Sequence, residues 1–378
     1  MNKKGYKVTV RSQELSDINY DTGSLLTASL QSTGVKMQNP IQQRKGGAGP
    51  ADGITIILNG RSINVSVSGN YVSQSPYSIQ LENETHFLYK NRYPISKVSL
   101  PDVPRYYSLK THDGIPYNKI ALLHGSSCLA STIFQNCIYW DSDKRCTFCG
   151  IELSLETKTT ILKKTPQQLL EVSKAAVELD KVTHVTLTTG TQAHSSDELQ
   201  YLATCCSTIK SETNLPIHVQ FSPPTDLKLL NILKKAGADT VGIHIESFDF
   251  NVLKNAAPCK AELGLKTYIE TWKEAISLFG KNQVSSFIIL GLGEENESII
   301  EGASLLCELG VYPFILPLRP IPGTPFANNK PPSPTKMISI YQQVSALLKM
   351  HDLSWKKSKA GCVRCGACSA LPDFEDVC

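Results

Sequence analysis

The chain has 378 residues, of which 41% are hydrophobic and 19% are charged, and its formal net charge is +4. This length suits one large domain with additions, or two domains. So small a charge gives no reason to expect a nucleic acid or an anionic membrane surface as a partner. No segment approaches the roughly 20 apolar residues that span a bilayer, and no apolar run follows the basic N-terminus to make a signal peptide. We therefore expect a cytoplasmic protein.

Residues 1–112 predict a small β-rich domain. Two β-branched segments flank the pair Asn59-Gly60, which is a strong signal for a hairpin. The glycine-rich run at residues 44–50 lacks the strand, helix and Gly-Lys-Ser/Thr context of a phosphate-binding loop, and we interpret it as a flexible turn. The strands are expected at residues 54–58, 62–67, 77–81 and 86–89.

Residues 113–330 alternate short apolar strands with amphipathic helices. This alternation predicts a parallel sheet that is covered on both faces, and about six units favour a partial or full β/α barrel. A helix at 335–350 and a cysteine-rich tail make up a third segment, residues 331–378. The strands are expected at residues 120–124, 184–188, 217–221, 240–245, 284–290 and 313–318, and the helices at 166–179, 198–210, 227–236, 266–278 and 299–309.

Three of the twelve cysteines, Cys137, Cys146 and Cys149, lie in one loop after the first predicted barrel strand. In a reducing compartment such a group indicates a metal site, and thiolates suit zinc or iron–sulfur clusters. Structural zinc takes four protein ligands, whereas a [4Fe–4S] cluster on three cysteines leaves one iron open. Cys128 is the alternative to Cys137 as the first ligand, but it would require a larger loop.

A second group of cysteines lies at the end of the chain, at Cys362, Cys365, Cys368 and Cys378. Its first three members have a ferredoxin-like spacing, and we expect an auxiliary [4Fe–4S] cluster there. Zinc remains the alternative because four ligands are available. If Cys378 does not bind, the auxiliary cluster also has an open iron. We interpret the other cysteines as small buried hydrophobic residues: Cys128, Cys205, Cys206, Cys259 and Cys307.

The order of strand, cysteine loop and β/α units resembles the radical S-adenosylmethionine (SAM) superfamily, in particular the biotin and lipoyl synthase branch. The nearest resemblance is to an uncharacterised family of radical SAM proteins that bacterial gene clusters encode beside nitrilases. One departure is the spacing of eight residues between the first two loop cysteines, where the superfamily has three. The motifs that carry the resemblance are at residues 44–50, 76–77, 121–124, 129–132, 146–151 and 362–371.

The resemblance implies a site at the carboxyl ends of the barrel strands. It implies that Thr188, Thr189 and Gly190 contact the SAM amino group, and that Gly291 and Gly293 pack against adenine, with Phe148 also binding the cofactor. Gln220, Ser222, His244 and Glu246 are candidates for SAM or substrate contacts, and Arg319, His244 and Glu246 for catalysis. Each of these residues also has a purely structural interpretation. His244 would be a hydrogen-bonded core residue, Gly291 and Gly293 would permit tight packing, and Arg319 would be a surface ion-pair partner.

The expected function is that of a radical SAM enzyme. Reductive cleavage of SAM at the loop cluster would give a 5′-deoxyadenosyl radical that abstracts hydrogen from a small-molecule substrate. The auxiliary cluster would insert sulfur or transfer electrons, and a flavodoxin or ferredoxin would be the electron donor. The alternatives are a zinc-stabilised binding protein and a SAM-dependent transferase without radical chemistry.

Overall fold

The computed structural model of the chain describes residues 23–38, 44–49 and 51–376. Its N-terminal part contains a helix, a four-stranded sheet in the order β1-β4-β5-β6, and a hairpin of β2 and β3. These elements are α1 (Gly23–Thr33), β1 (Lys36–Met37), β2 (Gly53–Leu58), β3 (Arg61–Ser66), β4 (Tyr77–Glu82), β5 (Thr85–Lys90) and β6 (Tyr93–Val98).

The predicted hairpin is confirmed, because β2 and β3 pair antiparallel around Asn59 and Gly60, which both have positive φ angles of 52° and 78°. The helix α1 was not expected in a β-rich region. Its Leu26 and Leu30 are buried in a core shared with the hairpin and the four-stranded sheet. Many serine and threonine residues weaken the apolar periodicity of α1, which explains why the pattern did not reveal it.

A curled sheet of seven strands forms the partial barrel that the alternation predicted. Neighbours in sequence are neighbours in the sheet, and the six strands from β8 to β13 run parallel. The strands are β7 (Leu122–His124), β8 (Cys128–Thr132), β9 (His184–Thr188), β10 (Ile217–Gln220), β11 (Thr240–Gly242), β12 (Val284–Leu290) and β13 (Tyr312–Pro317).

The expected first barrel strand, residues 120–124, needs correction. Residues Tyr117–Ile120 form a short helix, and β7 is an antiparallel edge strand that turns directly into β8. The strand that leads into the cysteine loop is therefore β8. The apolar segments of β7 and β8 are short and only three residues apart. Their pattern is too short to distinguish a hairpin from a single parallel strand.

Helices follow the parallel strands and bury their apolar faces against the sheet. In α4, Thr165 and Gln168 form a reciprocal capping box at the N-terminus. Among the described residues no helix is long and apolar enough to cross a membrane. The helices are α2 (Tyr117–Ile120), α3 (Leu153–Glu156), α4 (Pro166–Asp180), α5 (Ser195–Glu212), α6 (Leu229–Lys235), α7 (Phe250–Ala256), α8 (Pro258–Phe279), α9 (Asn296–Glu308), α10 (Pro334–Met350), α11 (Gly361–Cys365) and α12 (Leu371–Glu375).

The C-terminal segment packs into the barrel at the amino ends of the strands. The helix α11 contacts β9, β10, β11 and β13, and a Cβ atom on Gly361 would lie 2.4 Å from the ring of His218. The Ala367 carbonyl accepts hydrogen bonds from the Asn64 backbone and the Gln31 side chain. Both end segments thus contact the barrel region, and their division at residues 112 and 330 stays a prediction.

Candidate functional site

The barrel encloses a cavity of about 360 Å³ that has cysteines at both ends. Cys149 lies in its wall where the strands end, and Cys128, Cys362 and Cys368 lie in its wall near the starts of the strands. Most of the remaining wall is apolar. The predicted site residues that line the cavity are Phe148, Cys149, Thr188, Gln220, His244, Glu246, Arg319, Cys362 and Cys368.

The other predicted residues do not line this cavity. Cys378 lies outside the described residues. The described ones that lie outside the cavity wall are Cys137, Cys146, Thr189, Gly190, Ser222, Gly291, Gly293 and Cys365.

The cysteine loop after β8 brings Cys137, Cys146 and Cys149 together. Burial raises the pKa of Cys149 to about 12, and the neighbouring Cys146 and Cys137 thiols add to the shift. The Cys137 N–H donates to Glu152 Oε1 at 2.9 Å, which ties the first arc of the loop to its last turn. The structure therefore places Cys137, and not Cys128, beside the Cys-x-x-Cys pair.

The glycine-rich segment is a packed part of the cavity wall rather than a flexible turn. A Cβ atom on Gly46 would lie 1.8 Å from the carbonyl oxygen of Gly150, directly after the last loop cysteine. The Ser154 hydroxyl accepts from the Gly46 N–H at 2.9 Å and donates to the Gly46 carbonyl at 2.8 Å. Only a glycine permits this backbone-to-backbone approach.

A buried lysine lies between the cysteine loop and the cavity. The Lys260 ammonium donates to Glu246 Oε1 at 2.5 Å and to the His244 carbonyl at 2.7 Å. Burial alone would lower the pKa of Lys260, but the Glu246 carboxylate, together with the nearby Tyr268 and Cys146, outweighs burial and this pKa lies above its ordinary value. On the loop side, Cys146 Sγ lies 3.7 Å from Cys259 Sγ. The loop therefore contacts a fourth cysteine, Cys259, and lies near the buried Lys260 cation.

Two predicted catalytic residues in the cavity wall each retain a buried polar atom without a partner among the described residues, His244 Nε2 and Glu246 Oε2. His244 Nδ1 accepts from the Phe287 N–H at 3.2 Å and the two rings stack at 3.6 Å. Burial and the Lys260 charge hold the pKa of His244 well below its usual range, so the ring is neutral and Nε2 carries the proton. The pair thus offers one donor and one acceptor.

The polar residues that end β10 have different neighbours. The Gln220 amide donates to Cys362 Sγ at 3.3 Å, and its nitrogen also lies 3.3 Å from His218 Nε2. Gln220 is therefore associated with the second cysteine group. The Ser222 hydroxyl lies 3.2 Å from that of Thr191, so Ser222 joins two loops at the carboxyl ends of the strands.

The turn after β9 is tightly packed. The hydroxyls of Thr188 and Thr132 lie 2.8 Å apart, and the Thr189 hydroxyl donates to the Gly190 carbonyl at 2.9 Å. A Cβ atom on Gly190 would lie 2.0 Å from the carbonyl oxygen of Asn136. Of these three predicted SAM contacts, only Thr188 lies in the cavity wall.

The turn after β12 is organised by Glu294. Its carboxylate accepts the backbone N–H groups of Gly291, Leu292 and Gly293 at 2.9, 2.9 and 3.1 Å. Both glycines have positive φ angles, 102° and 119°, which this turn requires. Phe148 packs against the apolar cluster that contains Leu292, so the turn supports the aromatic residue that lines the cavity.

The second cysteine group includes residues that the sequence interpretation assigned elsewhere. His124 Nε2 lies 3.3 Å from Cys368 Sγ, and His124 Nδ1 lies 3.8 Å from Cys365 Sγ. His124 and Cys128 are directly paired across β7 and β8, and Cys128 shares the cavity wall with Cys362 and Cys368. Cys128 is buried, as interpreted from the sequence, and it also lies beside the second cysteine group.

Positive charge surrounds this second group. Burial would raise the pKa of Cys368, but His124 and Arg319 outweigh it and lower this pKa to about 6. The Arg319 guanidinium donates to the Asn64 carbonyl at 3.0 Å, and Arg319 lines the cavity rather than forming a surface ion pair. In the described part of the chain, no group of three or more His, Cys, Asp or Glu side chains is arranged to hold a single metal ion.

The site described so far is a partial β/α barrel with three clustered thiols in the loop after β8, and known proteins share parts of this chain. Residues 143–306, which include Cys146 and Cys149, match the Radical SAM superfamily. The biotin synthase of Hydrogenobaculum sp. (strain Y04AAS1) is 30% identical over 194 residues, 49% of this chain and 55% of that protein. The biotin synthase of Persephonella marina is 29% identical over 198 residues, 52% of this chain and 56% of that protein.

Residues 143–306 are thus similar to the Radical SAM superfamily, and the chain is similar to biotin synthases. It spans a little more than half the length of these relatives. Among solved structures, a radical SAM methyltransferase from Sphaerobacter thermophilus is similar with a TM-score of 0.47 and 14% identity, over 72% of this chain and 75% of that one. The resemblance to proteins encoded beside nitrilases stays a prediction.

Four residues that the fold brings near the two cysteine groups were not assigned to these positions from the sequence, which gave Cys128 only as an alternative ligand of the loop: His124, Cys128, Cys259 and Lys260. A signal existed for the first two, because His124 and Cys128 flank Gly125-Ser-Ser, a loop of the length that joins hairpin strands. Lys260 and Cys259 lie at the start of α8, where the sequence gives no indication that they face a distant loop.

Proposed function

We propose that this protein is an enzyme that binds a [4Fe–4S] cluster through Cys137, Cys146 and Cys149 and uses it to cleave SAM. The observation that supports this most is the meeting of three soft thiol ligands in one loop, with Cys149 in the wall of the barrel cavity. When bound and reduced, the cluster and SAM supply a 5′-deoxyadenosyl radical that removes hydrogen from a substrate. The remaining tasks belong to the chain's own residues.

The cavity wall supplies the contacts for SAM and substrate. Phe148 and the surrounding apolar side chains exclude water, and Thr188 provides a hydroxyl near the cysteine loop. The unpartnered atoms His244 Nε2 and Glu246 Oε2 offer a donor and an acceptor, and we assign them to the bound ligands. Lys260 holds Glu246 and the His244 carbonyl in place, which fixes both groups before a ligand binds.

The second cysteine group would hold an auxiliary [4Fe–4S] cluster through Cys362, Cys365 and Cys368. Three side chains donate or offer N–H groups to its sulfurs: His124, Asn64 and Gln220. Hydrogen bonds to the sulfurs are typical of iron–sulfur sites and tune their potentials. Arg319 adds positive charge, which offsets the charge of buried thiolates. These donors favour an iron–sulfur cluster over zinc.

The substrate is proposed to be a small molecule. A cavity of about 360 Å³ lies within the range of roughly 300–1,000 Å³ that small-molecule sites have. The cluster at one end requires an external reductant, and a flavodoxin or ferredoxin in the cytoplasm is the proposed donor. Transfer of sulfur or of electrons from the auxiliary cluster is the proposed role of the second group.

Anaerobic reconstitution with iron and sulfide tests the proposal. We expect about eight irons per chain for two clusters, and a change in the electron paramagnetic resonance (EPR) spectrum of the reduced protein when SAM is added. Cys149→Ala should abolish the SAM-dependent change. Cys206→Ala is the matched control, since Cys206 is buried in α5, away from both cysteine groups. A colourless protein that binds only zinc, or a Cys149→Ala spectrum that still responds to SAM, would overturn the proposal.

A further inference from the structure

The hairpin of β7 and β8 brings a barrel cysteine to the C-terminal cysteines. Cys128 is the first residue of β8 and pairs directly with His124, the last residue of β7. Side chains of directly paired residues in an antiparallel ladder are neighbours on one face. Since His124 contacts Cys365 and Cys368 at 3.8 and 3.3 Å, Cys128 lies beside the same group.

Two further observations place the Cys128 thiol inside this group. It lines the cavity together with Cys362 and Cys368. The pKa of Cys128 is raised above its ordinary value. Burial is the main cause, and the nearby Cys365, Cys362 and Cys368 thiols add to it. The loop before it is also adapted to the C-terminal segment, because a Cβ atom on Gly125 would lie 2.9 Å from Cys365 Sγ.

We infer that Cys128 is the fourth protein ligand of the auxiliary cluster, which Cys362, Cys365 and Cys368 hold from the C-terminal segment. The inference rests on the proposed auxiliary cluster and assigns its last ligand to a barrel strand instead of to Cys378. The first barrel strand would then connect the two clusters, since β8 begins at Cys128 and leads into the loop of Cys137.

Cys128 fits the role of ligand better than His124. The ring nitrogens of His124 already lie within hydrogen-bond range of Cys365, Cys368 and Asn64, which makes the ring a hydrogen-bonding partner of the ligand sulfurs. Among the residues that the structure describes, the Cys128 thiol has one hydrogen-bond neighbour, Thr186 Oγ1 at 3.2 Å. Four cysteine thiolates are also the usual ligand set of a [4Fe–4S] cluster.

This ligand set has a consequence for chemistry. A [4Fe–4S] cluster with four protein thiolates has no open iron, whereas three cysteines in the first loop leave one iron for SAM. The two ends of the cavity would therefore differ, with an open iron near Cys149 and a closed cluster near Cys128. Under this inference the auxiliary cluster does not anchor the substrate at an iron.

The experiment uses the full chain carrying Cys137→Ala, Cys146→Ala and Cys149→Ala, so that only the second group remains. After anaerobic reconstitution this background should hold about four irons and four sulfides, and adding Cys128→Ala should open one iron and change the EPR spectrum of the reduced cluster. Adding Cys206→Ala or Cys378→Ser should leave the iron content and the EPR spectrum near those of the background. Melting of each variant by circular dichroism checks that it is folded.

Cys128→Ser provides a second readout if the alanine variant does not fold. The hydroxyl is close in size to the thiol and can still pair with Thr186, so the fold should be retained. The reduced cluster should then show a changed EPR spectrum, because an oxygen replaces a sulfur ligand. Full iron with an unchanged spectrum in the Cys128 variants, or cluster loss in Cys378→Ser, would overturn the inference. A background without iron would instead refute the auxiliary cluster and leave the first cluster testable.

Discussion

Replacing Glu246 with glutamine tests whether the buried ion pair with Lys260 organises the cavity. The two side chains are 8% and 15% exposed and their charged atoms lie 2.5 Å apart. At an effective dielectric constant of about 20 the gross attraction is about 6 to 7 kcal/mol, and desolvation offsets part of it. Removing one partner of a buried pair costs about 3 to 5 kcal/mol. Because the glutamine oxygen still accepts from Lys260, we expect a loss of about 2 to 4 kcal/mol.

The assay is urea unfolding of the metal-free protein near pH 7.5. The pKa of Lys260 is raised in the folded state, so the stabilisation is fully present below the ordinary lysine pKa of about 10.4 and is lost only as the pH rises through the folded value. The matched control is Glu262→Gln, which breaks the exposed pair of Lys144 and Glu262 at 2.8 Å and should leave the urea midpoint unchanged. Equal midpoints for Glu246→Gln and Glu262→Gln would refute the reasoning.

A double substitution measures how strongly the Glu246 and Lys260 side chains depend on each other. Lys260→Met alone leaves the Glu246 carboxylate buried without its cation, whereas Glu246→Gln combined with Lys260→Met leaves neither charge behind. We expect the double variant to be more stable than the sum of the two single losses predicts, by about 1 to 3 kcal/mol. Additive losses would show that the two side chains act independently.

Two further predictions concern the cavity wall and a buried carboxyl. Gly46→Ala should lower both the melting temperature and the iron bound by the first cluster, because the new Cβ meets the Gly150 carbonyl at 1.8 Å. Gly60→Ala meets nothing within 4 Å but is strained by its φ of 78°, so it is the control for lost stability alone and should lower the melting temperature without lowering the iron. Equal iron in both variants would contradict this. Burial raises the pKa of Glu198 to about 7. The protonated carboxyl therefore favours the folded state at low pH, and this contribution to the unfolding free energy is lost as the pH rises to about 7. Relative to Glu198→Gln, the native protein should lose up to about 3 kcal/mol in unfolding free energy between pH 4.5 and 8, and parallel pH profiles would contradict this.

The barrel was predictable because its strands and helices carry strong local periodicity. The expected strand at residues 184–188 and the helix starting at residue 166 agree with β9 and α4, where a buried apolar run and a capping box set the boundaries. The β7–β8 hairpin was missed because three residues of strand carry too little pattern to fix a direction. α1 was missed because its burial depends on the N-terminal sheets rather than on its own amphipathicity.

The site was predictable only where its residues are close in sequence. Cys146 and Cys149 share one short motif, and the choice of Cys137 over Cys128 agrees with its placement beside them. The second group depends on contacts between residues about 240 positions apart, such as His124 with Cys365. No local sequence pattern indicates a contact between residues so far apart in the chain. Lys260 was hidden for the same reason, since its partner Glu246 lies on another element.

The central claim is that the cysteine loop and the cavity cleave SAM to produce a radical. The most direct measurement is the release of 5′-deoxyadenosine after anaerobic incubation of the reconstituted protein with SAM and dithionite, followed by chromatography and mass spectrometry. We expect 5′-deoxyadenosine and methionine in equal amounts from the native protein and from Cys206→Ala, and none from Cys149→Ala. Absence of 5′-deoxyadenosine from a fully iron-loaded native protein, or an equal yield from Cys149→Ala, would contradict the account.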